Sequence, residues 1–183
     1  MRFFPLLLLV VLMSLSSCAK EDRKLMIIKQ EEEIDRYVQS LTCDTVLYRN
    51  GVVRAVFEQG KPSFAGDTVA KGDTLFFYYA GHIFSRGKGT LFHTNSDSVA
   101  AAHNRVLPED QARVRSDVVG SGRFLKGLEF GFPGMASGEH SYLIFNADLG
   151  FGNTSAGQIP AMSPLLFEVW VVKVVKNQIS LSQ

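Results

Sequence analysis

Apolar and polar positions along this chain change rhythm twice before the main body begins. Pro5 to Leu15 is an apolar run behind a single cation, Arg2. The run is too short for a permanent membrane span, and over residues 1–17 it has the layout of a cleaved secretory signal. From Leu25 to Leu41 the rhythm is helical. Leu25, Ile27, Ile28, Ile34, Tyr37, Val38 and Leu41 recur at roughly helical spacing, with Glu31-Glu32-Glu33 on the solvent side. The spacing predicts an N-terminal helix over 25–42, set off from the signal by a charged tether over 18–24. Such a helix either packs on its own domain or pairs with a second copy of the chain as a homodimer.

Beyond residue 43 the rhythm is that of strands. Val46-Leu47-Tyr48 and Val52 to Phe57 flank Asn50-Gly51, a dipeptide that between apolar runs signals a tight hairpin. Thr74 to Tyr79, Leu91 to Thr94 and Ser141 to Phe145 read as further strands, and Leu165 to Val175 is apolar enough to be central. A short helix ending at Phe132 precedes the turn at Pro133-Gly134. Residues 96–117 break the pattern: an alanine-rich helical turn, then Pro108 and alternating charges, read as a surface excursion inside the domain. The fold class is α+β, an antiparallel sheet of five to six strands wrapped over a short helix and preceded by the N-terminal helix. One domain spans 43–176, with a tail over 177–183.

Charge and cysteine content narrow the setting. Loss of residues 1–17 would remove one cation and balance the 19 basic and 18 acidic residues of the chain. A balanced surface offers no general attraction to nucleic acid. Leu15-Ser16-Ser17-Cys18 resembles the lipobox of bacterial lipoproteins, which implies cleavage before Cys18 and its acylation. Lipid anchoring to a membrane in a bacterial cell envelope follows, on the periplasmic side or at the cell surface. Lys20-Glu21-Asp22 resembles the acidic signals that send some lipoproteins to the surface. With Cys18 acylated, Cys43 stands alone, a half-buried strand residue that can form no intrachain disulfide.

Three spaced blocks carry the chemistry: Gly72 to Gly81 with Tyr79-Ala80-Gly81; Phe124-Leu125-Lys126-Gly127-Leu128-Glu129-Phe130-Gly131 to Met135; and Ile159-Pro160 leading into Leu165-Leu166-Phe167-Glu168-Val169. In order and spacing they resemble the FK506-binding-protein (FKBP) family of peptidyl-prolyl cis-trans isomerases, over roughly Thr45 to Val175. The resemblance implies an apolar cleft for proline-containing polypeptides, walled by Tyr79, Phe92, Phe124, Leu125, Leu128, Phe151, Ile159 and Phe167. It also implies that the Leu125 N–H holds a substrate carbonyl, and that neither cofactor nor metal takes part. His82, His93, His103 and His140 lack the paired spacing of a metal site.

Four positions depart from the family pattern. His93 stands where the family has an aspartate, Phe151 for a tyrosine and Leu128 for a tryptophan, and Arg115 is nearest to a loop aromatic that has no counterpart. The expected function is a membrane-anchored isomerase assisting the folding of exported proteins. The alternative is a chaperone or binding module on the same fold with little isomerase activity.

Overall fold

The computed structural model describes residues 4–62 and 67–177, with side chains from residue 20 onward. The expected signal and the acylation of Cys18 fall on side chains outside the described residues. Among the described residues seven strands form one antiparallel sheet: β1 (Thr45–Arg49), β2 (Val52–Gln59), β3 (Thr74–Phe84), β4 (Lys88–Thr94), β5 (Arg115–Val118), β6 (Glu139–Phe145) and β7 (Leu165–Val175). The path runs β1-β2-β6-β7-β3-β4, and β5 pairs separately with β3. Asn50 and Gly51 turn the first hairpin with φ of 50° and 78°, the left-handed pair that matches strand twist.

The count exceeds the expected five to six because the excursion over 96–117 ends inside the sheet. After helix α2 (Asp97–Ala102), Arg115 to Val118 pairs with Phe77 to Thr74 at the edge of β3, while β4 pairs with the later half of the same strand. The segment Arg-Ser-Asp-Val has no apolar alternation. It becomes a strand because β3 is long enough to hold two partners on one side.

Strand periodicity then sorts the core into two layers, because successive side chains point to opposite faces. On β7, Leu165, Phe167, Val169 and Val171 face one layer with Leu128 and Phe132 of helix α3 (Lys126–Gly131) and its end. Leu166 faces the other, with Ile34 and Val38 of helix α1 (Phe4–Gln39) and Val53, Ala55, Phe84 and Ile144 of the sheet. Burial on both sides explains why β7 is nearly uninterrupted apolar sequence. Its one carboxylate, Glu168, is satisfied by Lys88 Nζ at 2.6 Å and His140 Nε2 at 2.9 Å.

Helix α1 differs from its expected form in extent and in the face it buries. The stretch read as a tether, Ala19 to Lys24, is helical, consistent with its good helix formers, and Arg23 is paired with Asp148 at 2.7 Å. The helix stops at Gln39, where the Ser40 hydroxyl donates to the Tyr37 carbonyl at 2.6 Å. Its buried line is Gln30, Ile34 and Val38, at i, i+4 and i+8, whereas Leu25, Met26 and Ile28 are exposed. Cys43 is half-buried and free, but it sits in the connection before β1 and not in a strand.

Candidate functional site: an apolar cleft between helix α3 and the sheet

Three glycines shape the cleft, two by seating helix α3 on β6 and one by letting aromatic rings lie against β3. A Cβ placed on Gly127 would lie 2.4 Å from the ring of Phe145, and one on Gly131 would lie 2.8 Å from Leu143. These positions, four apart on one helix face, let α3 lie directly on β6. At Gly81 a Cβ would meet the Phe92 ring at 2.6 Å and the Phe167 ring at 3.0 Å. The glycine of Tyr79-Ala80-Gly81 is therefore required by a ring lying against the backbone two residues beyond the tyrosine.

The space left over is a cleft of about 630 Å³. Tyr79 of β3, Phe92 and His93 of β4, Phe124 and Leu125 before α3, Leu128 on α3, Phe151 and Ile159 of the following loop, and Phe167 of β7 all line it. Every pocket residue named from sequence thus lies at one surface. The aromatic rings form a continuous wall: Phe92 meets Phe167 edge-on at 5.6 Å, Tyr79 lies 6.1 Å from Phe167, and Phe77 joins Tyr79 at 5.7 Å to Phe124 at 5.9 Å. The excursion over 96–117 contributes Arg115 to the rim and leaves the cleft unfilled.

Sequence reading missed Phe77, Arg123, Ala156, Gly157 and Gln158 in this lining. Phe77 was detectable in principle, being two residues before Tyr79 on the same strand face. Gln158 donates to the Phe92 carbonyl at 3.1 Å and so closes one end of the cleft, a contact without any local signal.

His93 fills its departure from the family pattern in a specific way. Its ring stacks on Tyr79 at 5.6 Å and 7°, and its Nδ1 is 2.9 Å from the Tyr79 hydroxyl. Burial, with the Arg115 cation adding to it, holds the His93 imidazole below its ordinary value. A neutral ring protonated at Nε2 accepts the phenol's hydrogen bond at Nδ1. Burial pushes the Tyr79 hydroxyl up, against a smaller lowering by Arg115, so it stays protonated. Leu125 caps α3 through its carbonyl, which accepts from Leu128 and Glu129 at 3.0 Å. Its own N–H has no acceptor among the described residues.

The loop carrying Phe151 and Ile159 is fixed from behind by α1. Gln30, 7% exposed, accepts from the Ala147 N–H at 2.9 Å and donates to the Met162 carbonyl at 2.8 Å, tying together the two ends of that loop. Asn146 donates to Glu31 beside it at 2.7 Å. Replacing Gln30 by alanine leaves the buried Ala147 N–H unpaired. The expected result is a loss of about 1–3 kcal/mol and faster amide hydrogen exchange across 147–162 than across β7. Uniform exchange in both segments would show that the loop does not depend on this contact.

Comparison with known proteins agrees with this geometry. Residues 66–172 match the family model described as FKBP-type peptidyl-prolyl cis-trans isomerase. The chain is 30% identical over 127 residues to FK506-binding protein 1 of Aspergillus oryzae, covering 68% of this chain and 98% of that one. It is 33% identical over 108 residues to peptidyl-prolyl cis-trans isomerase FKBP2 of Homo sapiens, covering 58% of this chain and 65% of that one. In three dimensions it superposes on the N-terminal domain of FKBP42 from Arabidopsis thaliana with a TM-score of 0.55 and 20% identity, over 74% of this chain and 96% of that one. The three FKBP domains of wheat FKBP73 give a TM-score of 0.58 at 18% identity, over 73% of this chain and 51% of that one. With more than half its length matched by the family model, and with the motif glycines and aromatics assembled around one cleft, the chain belongs to the FKBP-type peptidyl-prolyl cis-trans isomerase family.

Proposed function

We propose that this chain is a membrane-anchored peptidyl-prolyl isomerase that assists the folding of exported proteins in a bacterial cell envelope. The observation that carries the catalytic part is the convergence of Tyr79, Phe92, Phe124, Leu125, Phe151, Ile159 and Phe167 on one cleft. An X-Pro amide resists rotation by roughly 18–20 kcal/mol because twisting destroys its resonance. The twisted amide is less polar than the planar one, so an apolar, water-poor wall favours it over the ground state. The Leu125 N–H supplies a donor for the substrate carbonyl at the edge of that wall. No group needs to change its bonding, and none of the lining side chains is asked to act as a nucleophile.

The anchoring part rests on Leu15-Ser16-Ser17-Cys18. Several acyl chains hold a protein on a membrane far better than one, each buried CH2 contributing roughly 0.8 kcal/mol. The exposure of Leu25, Met26 and Ile28 on α1 supports a homodimer through that helix, which sedimentation velocity reads directly.

A second reading is favoured by the contact between Tyr79 and His93, which occupies the cleft's phenol, and by Phe151, which brings no hydroxyl. On this reading the fold binds unfolded chains and isomerises them slowly. Proline-limited refolding separates the two: the isomerase accelerates the slow phase at micromolar protein, and absence of acceleration leaves the binding module. Metabolic labelling with a fatty-acid probe tests the anchor. Label is expected on the wild type and absent from Cys18→Ala, and an unlabelled wild type removes the anchor.

A further inference from the structure

The cleft's apolar floor is edged by charge of one sign. Among the described residues that line it the charged side chains are Arg115 and Arg123, and none is a carboxylate. His93, neutral beside Tyr79, occupies the position where a carboxylate would have balanced them. We propose that the cleft selects prolines with an acidic residue directly next to them in the chain. This deepens the isomerase reading above and rests on it.

The arginines are held in place. Arg115 is paired with Phe77 in the β3–β5 register, and buried Asn95 fixes the approach to β5 by donating to the Arg113 carbonyl at 2.9 Å and the Phe77 carbonyl at 3.2 Å. The Arg115 guanidinium lies over the Phe124 ring at 5.3 Å, so it edges the same ring that walls the cleft. Arg123 directly precedes Phe124 in the chain. Asp117 stands behind both, 3.5 Å from Arg115 and 3.4 Å from Arg123. One carboxylate shared between two guanidinium groups orients them and leaves one net positive charge. Each guanidinium has five N–H donors; Asp117 engages one terminal nitrogen of each, and Arg115 gives one further hydrogen bond to the Tyr79 hydroxyl, so donors remain on both. A proline ring on the floor sends its neighbour past Phe124 and into reach of this pair. A glutamate or aspartate there gains a charge-assisted hydrogen bond, and a lysine meets repulsion.

The test uses the full chain and fluorescent tetrapeptides with Glu, Gln or Lys directly before proline, and a second set with them directly after. Isomerisation is expected to favour Glu over Lys by about tenfold at low salt in at least one set, with Gln between. The ratio should shrink toward one in 1 M NaCl, where the screening length is about 3 Å. Arg115→Gln and Arg123→Gln are each expected to lower the ratio about threefold, which a general loss of stability would not do. Arg123, on an exposed loop, serves should Arg115→Gln fold poorly. Ratios within twofold in both sets, or ratios unmoved by both variants, overturn the proposal while leaving the isomerase reading intact. If no peptide is accelerated, the isomerase reading fails, and the same peptides' affinities by anisotropy decide the charge preference. Tighter binding of Glu than Lys supports it, and equal affinities end it.

Discussion

Phe145→Ala is expected to lower folding stability by about 3–5 kcal/mol, the range for removing a fully buried aromatic ring. Phe145 has no exposed surface and stacks on Phe167 with centroids 5.9 Å apart. Its other face lies under Gly127, where even a Cβ would come within 2.4 Å of the ring. That arrangement places the loss toward the upper end. Collapse into the vacated space requires a neighbouring side chain, and on the helix side the neighbour is a glycine with none to offer. Phe167 would lose its support on the side away from the cleft, so activity should fall alongside stability. Urea unfolding measures the first effect, and Phe130→Ala is the control. Phe130 sits on the same helix but is 36% exposed, and its replacement should change stability by less than about 1 kcal/mol. Equal losses for the two variants would show that α3 is not seated on Phe145.

The difference between these two phenylalanines was not legible in the sequence, although the helix that separates them was. Gly127 and Gly131 mark its seated face only once it is known that a strand carrying Phe145 and Leu143 runs beneath them. Six of the strands, β1 to β4 with β6 and β7, announced themselves through apolar runs and turn residues. β5 did not, since its residues alternate no apolar face and owe their conformation to the free edge of β3. Along α1 the apolar stripe included Leu25 and Ile28, which are exposed, and Ile34 and Val38, which pack on the sheet, while Gln30 between them is buried. That polar residue is buried because loop ends from residues 147 and 162 offer it one donor and one acceptor. Hydrophobic periodicity carries no information about such a pairing.

The cleft was legible to a different degree. Its apolar walls could be named individually because motif order fixes which strand or loop each belongs to, and all of them line one surface. Its polar character could not. The sequence shows that His93 replaces a carboxylate, but its neutrality follows from burial and from the proximity of Arg115, a residue 22 positions away in the chain. Arg115 itself reaches the rim only because the long excursion returns to pair with β3.

Phe124→Ala is the decisive variant for the cleft, with kcat/KM for an X-Pro peptide expected to fall roughly 10- to 100-fold. The Phe124 ring contacts Phe77 at 5.9 Å and Phe132 at 5.0 Å and presents its remaining surface to the cleft beneath Arg115. Removing it replaces apolar wall by water where the amide must lose its polarity. Burial of one such ring is worth about 1.5–3 kcal/mol, and each 1.4 kcal/mol withdrawn from the transition state is about tenfold in rate. The contact with Phe132 means that stability also falls, so rates are compared at equal folded fraction, established by circular dichroism at the assay temperature. A loss confined to KM would mean that Phe124 binds the substrate and its twisted form equally. A loss in kcat assigns it to the twisting step itself, as expected of a wall whose contribution is the exclusion of water. Full activity in a folded Phe124→Ala protein would remove the cleft from the reaction. Capture of unfolded chains would then have to occur on another surface, the one built by α2 and the excursion that follows it.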